Sequence, residues 1–236
     1  MKEKNSILKQ YCHYTFFSIL GMIGLSIYII ADTFFVSKGL GTNGLAALNL
    51  AIPIYNIIHG TGLLLGIGGA AKYSIYKGQK DNKNADIIFT NTLYVTVMLS
   101  LLFMFIAINF SEKLCLFLGA DKTIFAMTNT YIKILLLFSP AFLCNNVLIC
   151  FVRNDGKPQL CMIAMLAGSL FNIVMDYILI FPFQMGILGA VFATGLSPVV
   201  SMFLLSYHYI SKTKGFHIIK SKLVCHKIAW IFLMGF

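Results

Sequence analysis

Two acidic residues stand inside apolar sequence. Asp32 closes an uncharged run that begins at residue 10 and is followed at once by Thr33-Phe34-Phe35-Val36; Asp176 lies between Asn172-Ile173-Val174-Met175 and Tyr177-Ile178-Leu179-Ile180. A carboxylate in hydrocarbon costs a few kcal/mol on insertion scales, so it persists where it faces a protein interior and finds partners. Helical spacing supplies them. Asn172 and Asp176 are i, i+4 neighbours on one face, and so are Tyr28 and Asp32. If one helix runs outward from about residue 12 and another from residue 158, both acids lie roughly 27–30 Å along, at ~1.5 Å per residue, toward the outer side. Thr194 lies roughly 12 Å down a helix that starts near residue 186 and runs inward, within reach of the same level. Asp32, Asp176, Asn172, Tyr28 and Thr194 then bring two carboxyls, a carboxamide and two hydroxyls to one outer-half pocket. Oxygen ligands of this kind suit a hard cation such as Na⁺, and a carboxyl in such a place can equally carry a proton. Both are coupling-ion chemistry; the alternative is a structural role, hydrogen-bonding helix to helix. Lys133 is a further candidate partner, able to neutralise one acid or to snorkel to the interface.

The composition dictates the elements that must position these groups. Of 236 residues, 58% are apolar and only 11% charged, and the mean hydropathy is +0.84. A soluble domain carries roughly 25% charge, and disorder needs low hydrophobicity with high charge, so both classes are excluded and an integral membrane protein remains. A spanning helix needs about 20 apolar residues. The charge-free runs predict six, at about 12–36, 46–72, 87–110, 125–152, 158–181 and 186–210, the last two split by Phe181-Pro182-Phe183-Gln184-Met185-Gly186. The runs lack the period-2 alternation of a β-barrel. The expectation is an all-α six-helix transmembrane bundle over 1–211, a basic cytoplasmic linker over 212–227 that touches anionic headgroups, and the truncated start of a seventh helix over 228–236.

Net charge is +10. With the N-terminus inside, fourteen basic residues fall on inner segments, among them Lys72, Lys77, Lys80, Lys83, Arg153 and Lys157, against Lys38, Lys113, Lys122 and Lys133 outside. The positive-inside rule therefore predicts cytoplasmic N- and C-termini, and a charge so distributed forms no patch for nucleic acid. Small residues repeat every fourth position in Gly62-x-x-x-Gly66-x-x-x-Ala70 and Gly186-x-x-x-Ala190-x-x-x-Thr194, which lets helices approach closely, whether for static packing or for sliding. The six cysteines (Cys12, Cys115, Cys144, Cys150, Cys161 and Cys225) show no metal-ligand spacing and read as small buried hydrophobes. No nucleophile–base motif or metal cluster accompanies the five histidines, so an enzyme is not expected; only His59 lies deep in a span, where a helix–helix hydrogen bond is its expected role. Aromatic residues at 14% could line a cavity for flat cations.

One further pattern is larger than any single motif. Ala31-Asp32-Thr33-Phe34-Phe35-Val36, Gly39-Leu40-Gly41-Thr42 and Leu45-Ala46-Ala47-Leu48-Asn49-Leu50-Ala51-Ile52-Pro53, then Gly66-Ile67-Gly68-Gly69-Ala70 and Tyr76-Lys77-Gly78-Gln79, resemble the first two helices of multidrug and toxic compound extrusion (MATE) transporters. Arg153-Asn154-Asp155-Gly156-Lys157-Pro158 resembles the loop between that family's fourth and fifth helices. Asn172-x-x-x-Asp176 and Gly186-x-x-Gly189-Ala190-x-x-Ala193-Thr194 resemble its fifth and sixth. The resemblance implies a secondary active transporter of the bacterial plasma membrane that exports organic, often cationic, compounds as Na⁺ or H⁺ enters, with no other cofactor. It implies an ion site at Asp32, Asn172, Asp176 and Thr194, the set the depth argument reaches. It also implies one lobe of a twelve-helix V, with the C-terminal lobe or a second copy of this chain as partner beside the bilayer and the organic substrate. The alternatives are a lipid-linked sugar flippase of the same superfamily, disfavoured by acids where a phosphate would need cations, and a non-functional fragment or membrane scaffold.

Overall fold

The computed structural model describes residues 2–210, 215–220, 231 and 235. Among these residues it is all helix, with no strand: α1 Lys2–Gly78, α2 Asn82–Phe117, α3 Phe125–Leu137, α4 Ser139–Asn154, α5 Pro158–Ile180 and α6 Ile187–Ile210.

The 77 residues of α1 are not one rod. Gly41 has φ 66° and ψ −158°, a backbone conformation that only glycine adopts readily. The hydroxyls of Tyr28 and Tyr55 meet at 2.8 Å, although 27 residues of straight helix would hold them about 40 Å apart. The chain therefore doubles back at Gly41, and its two limbs correspond to the first two expected spans. The fourth expected span, 125–152, is likewise not continuous. It breaks at Phe138 into α3 and α4, bent by 48°. Pro140 in the first turn of α4 is the cause: its ring displaces the carbonyl four residues earlier, and it has no N–H to continue the ladder. Among the described residues four helices are long and apolar enough to cross a membrane, five if the bent pair is one span; the reversal in α1 brings the crossings to six.

Packing divides most of the bundle between two large apolar cores, beside a small third one around Cys115, Ala120 and Ile124. One, toward the end where Gly41 turns, gathers Val36, Leu48, Ile132, Leu135, Ile180 and Val191. The other, toward the lysine-rich end, gathers Tyr73, Phe89, Phe151, Cys161, Leu205 and Phe216. Outward-facing Met22, Ile30, Leu101, Phe105, Ile108 and Phe203 are exposed, as suits a surface solvated by hydrocarbon. The second limb lies so close to α4 that a Cβ on Gly66 would stand 3.0 Å from the Asn146 carbonyl oxygen and 2.9 Å from the Cys150 sulfur, the close approach its small-residue stripe allows.

The expected solvated linker is in part docked. Phe216 is fully buried, with rings of Phe89, Tyr73, Phe151 and His208 around it at centroid distances of 4.5–6.1 Å. Asp155 anchors this corner: it accepts from the Tyr73 hydroxyl (2.6 Å), His208 Nε2 (2.7 Å) and the Gly215 N–H (2.6 Å). The His217 N–H donates to Asp86 (2.9 Å) and the Ile219 N–H to Thr90 (3.2 Å). An aromatic side chain flanked by two carboxylates that need donors has a better place on the bundle than in water, which residue-by-residue charge counting does not register. The rest of 212–227, including Cys225, and most of 228–236 lie outside the described residues. Of the latter segment, Ile231 is fully buried, its backbone against Gly68.

Candidate functional site

Between the two apolar cores lies a polar layer. Asp32 comes from the first limb of α1, Asn172 and Asp176 from α5, and Thr194 from α6; all are buried, Asp176 completely and Asp32 at 7% exposure. The two carboxyl groups, 144 positions apart in sequence, come within hydrogen-bonding reach of each other. Asn172 links Asp176, one turn along α5, to α6. Its amide nitrogen donates to Asp176 Oδ2 at 3.1 Å, and its oxygen accepts from the Thr194 N–H at 3.1 Å. Thr194 in turn bonds its hydroxyl to the Ala190 carbonyl at 3.0 Å, within its own helix.

What these groups leave unsatisfied matters most. Asp32 Oδ1 and Asp176 Oδ1 are buried and have no hydrogen-bond partner among the described residues. Buried polar atoms are nearly always paired, and an exception calls for a water, an ion or a functional role. Two facing carboxyls out of water do not both stay negative without help: a proton shared between them or a cation beside them is required. Lys133 does not provide that charge, because it is exposed on α3. Among the described residues no three His, Cys, Asp or Glu side chains cluster to hold a metal ion. The donor set is thus oxygen only, and suits a hard cation or a proton.

The five sequence-selected residues converge here, Tyr28 among them: it is buried one turn from Asp32, its hydroxyl paired with that of Tyr55. Two residues that sequence reasoning did not select join them. Tyr131 of α3 is buried and, with Tyr28, Asp32, Tyr55 and Thr194, lines one cavity. Tyr55 is the second. A second cavity shares Tyr28, Tyr55 and Thr194 with the first and continues past His59, Phe142, Asn145 and Ser201 to Arg153. His59 stacks on Tyr55 (5.7 Å, 9° between planes) and meets Asn146 Nδ2 through Nδ1 at 3.1 Å, so its helix-to-helix bond is to α4. Arg153, expected in a loop, sits in the last turn of α4 and forms the far wall of this cavity.

The sequence model of the MatE family matches residues 18–178. The chain is 30% identical over 206 residues to the multidrug export protein MepA of Staphylococcus aureus (strain MRSA252), an overlap of 87% of this chain and 46% of that protein. It is 29% identical over 211 residues to MepA of Staphylococcus saprophyticus, covering 89% and 47%. It therefore spans about half the length of the curated relatives it matches. A solved structure described as the outward-facing conformation of a multidrug resistance MATE family transporter superposes with a TM-score of 0.87 at 27% identity, over 96% of this chain and 51% of that one. The inward-facing conformation described in the same terms superposes at 0.83, also at 27% identity, over 91% and 52%.

Proposed function

The chain belongs to the MatE family, and on that premise we propose that it is one half of a cation-driven antiporter that exports organic, often cationic, compounds. Its other half is a second six-helix lobe, in the same polypeptide or from a second copy, and the substrate moves as the lobes rock about a shared cavity. Both termini of the lobe face the cytoplasm of a bacterial cell. Asp32 and Asp176 are the coupling pair: an entering Na⁺ or H⁺ neutralises them, Asn172 holds Asp176 in place, and Thr194 and Tyr28 close the shell. The observation that carries this reading is the pair of unpartnered, buried carboxyl oxygens on carboxyls that face each other. A scaffold has no use for that arrangement, because two apolar side chains would hold the same helices together at lower cost.

In the intact carrier, Asp32→Asn and Asp176→Asn each reduce ion-driven dye efflux to the level of empty vesicles, while membrane insertion and expression persist. Unchanged efflux in both variants would sink the coupling claim. The flippase alternative is the weaker one: among the described residues Arg153 is the one Lys or Arg that lines the second cavity, with no further Lys or Arg beside it to receive a phosphate headgroup.

A further inference from the structure

The polar layer that holds the carboxyl pair is flanked by two cavities: Asp32 lines one, and the other meets the layer at Tyr28, Tyr55 and Thr194. The outer cavity holds Asp32 and Tyr131; the inner one runs from Tyr28, Tyr55 and Thr194 to Arg153. Its direction follows from the helices. α6 descends from Thr194 to Ser201, about 10 Å at ~1.5 Å per residue, and α4 descends past Asn145 to Arg153, four residues before Lys157 at the lysine-rich end. The inner cavity thus covers the distance between the carboxyl layer and the inner surface, within a single lobe.

Its walls are built for water. Ser201 Oγ and Asn145 Oδ1 are buried without a partner among the described residues, and both residues line it. A polar cavity with unsatisfied groups holds water, whereas an empty cavity is apolar. Where the two cavities meet, the Tyr28 and Tyr55 hydroxyls bond to each other at 2.8 Å, a separation that leaves no room for a water between them. The stack of His59 on Tyr55 holds that ring from the inner side.

We propose that the inner cavity is a hydrated half-channel through which the coupling cation leaves the Asp32–Asp176 pair for the cytoplasm, with the Tyr28–Tyr55 hydroxyl pair as its gate. The ion then exits through the lobe that bound it and does not enter the cleft where the organic substrate lies. The gate explains why two cavities abutting one site do not form a leak: an open path on both sides would collapse the gradient. This inference rests on the ion-coupling reading above.

The test is thiol accessibility. Start from the chain with Cys12, Cys115, Cys144, Cys161 and Cys225 replaced by serine or alanine, which keeps Cys150 as a native reporter on the cavity wall. Add Ser201→Cys as a second reporter in a Cys150→Ala background, and Ala164→Cys, a fully buried position on α5, as the dry control. Probe each with a small, cationic, membrane-impermeant methanethiosulfonate applied to one side of oriented vesicles. The expected result is modification of Cys150 and Ser201→Cys from the lysine-rich side only, at least tenfold faster than Ala164→Cys. Tyr55→Ala removes the gate, and Ser201→Cys then reacts from both sides. Reporters that react no faster than Ala164→Cys, or only from the opposite side, overturn the path. If efflux is still lost in Asp32→Asn in that case, the coupling reading stands without it. Accessible reporters in a carrier whose efflux is independent of both acids overturn the path as an ion route and the coupling reading together.

Discussion

At the scale of single residues, the carboxyl pair was legible in the sequence because charge in hydrocarbon is conspicuous: Asp32 and Asp176 interrupt otherwise uncharged runs. Asn172 was legible through its spacing from Asp176, but its working contacts were not. Spacing brings it to the carboxyl; only the packing of α5 on α6 shows that its oxygen is committed to the Thr194 N–H, which leaves it a positioning group. Tyr131 and Tyr55 were illegible because a tyrosine in an apolar run carries no sign of which way it faces. These contacts yield a prediction. Asn172→Leu keeps the branching of the side chain but removes the donor to Asp176 and the acceptor that faces Thr194, so it destabilises the lobe by about 1–3 kcal/mol. It also weakens the coupling-ion dependence of efflux. Thermal unfolding in detergent reads the first effect; an efflux titration in Na⁺ and in pH reads the second. A stability loss with unaltered ion dependence would reduce Asn172 to a helix–helix fastener.

At the scale of elements, hydropathy located apolar runs well but did not register how the backbone interrupts them. The connection between the first two limbs contains no long polar loop, and helical geometry continues on both sides of Gly41. The reversal depends on one residue whose φ of 66° and ψ of −158° lie where side chains are not tolerated. Space is not the constraint, since nothing lies within 4 Å of a Cβ built on Gly41. Gly41→Ala therefore isolates the conformational cost from any clash, and a destabilisation of about 1–3 kcal/mol is expected from backbone strain alone, measured as a lower midpoint in thermal or denaturant unfolding. A neutral Gly41→Ala would mean that the turn can be made another way. Phe138 teaches the complementary lesson. Pro140 was visible inside the fourth run, and a proline in a membrane helix is tolerated with anything from no bend to a break. Pro140 breaks the ladder, and the packing around it accommodates the 48° bend: Phe138 packs edge-to-face on Phe192 and against the Gly195 backbone of α6.

At the scale of the whole molecule, the lysine-rich end of the lobe is held by a segment that composition alone assigned to solvent. Residues 215–220 cross from α6 to α2 and touch α1 and α4 on the way, through Asp155, Asp86, Thr90 and the aromatic box around Phe216. Two contributions can be separated. Phe216→Ala removes a fully buried ring and leaves a cavity between four aromatic side chains, at a cost of about 3–5 kcal/mol. Asp155→Asn keeps the shape but turns an amide N–H₂ toward one of three donors, which leaves that donor without an acceptor at a cost of about 1–3 kcal/mol. Because Gly215 is adjacent to Phe216, the two changes share one structural unit, so their combination should destabilise by less than the sum. The measurement is a double-mutant cycle of unfolding free energies for the purified lobe in detergent. Strict additivity would show that the aromatic box and the Asp155 hub act independently, and that the segment is two separate contacts and not one clasp across the lysine-rich end of the bundle.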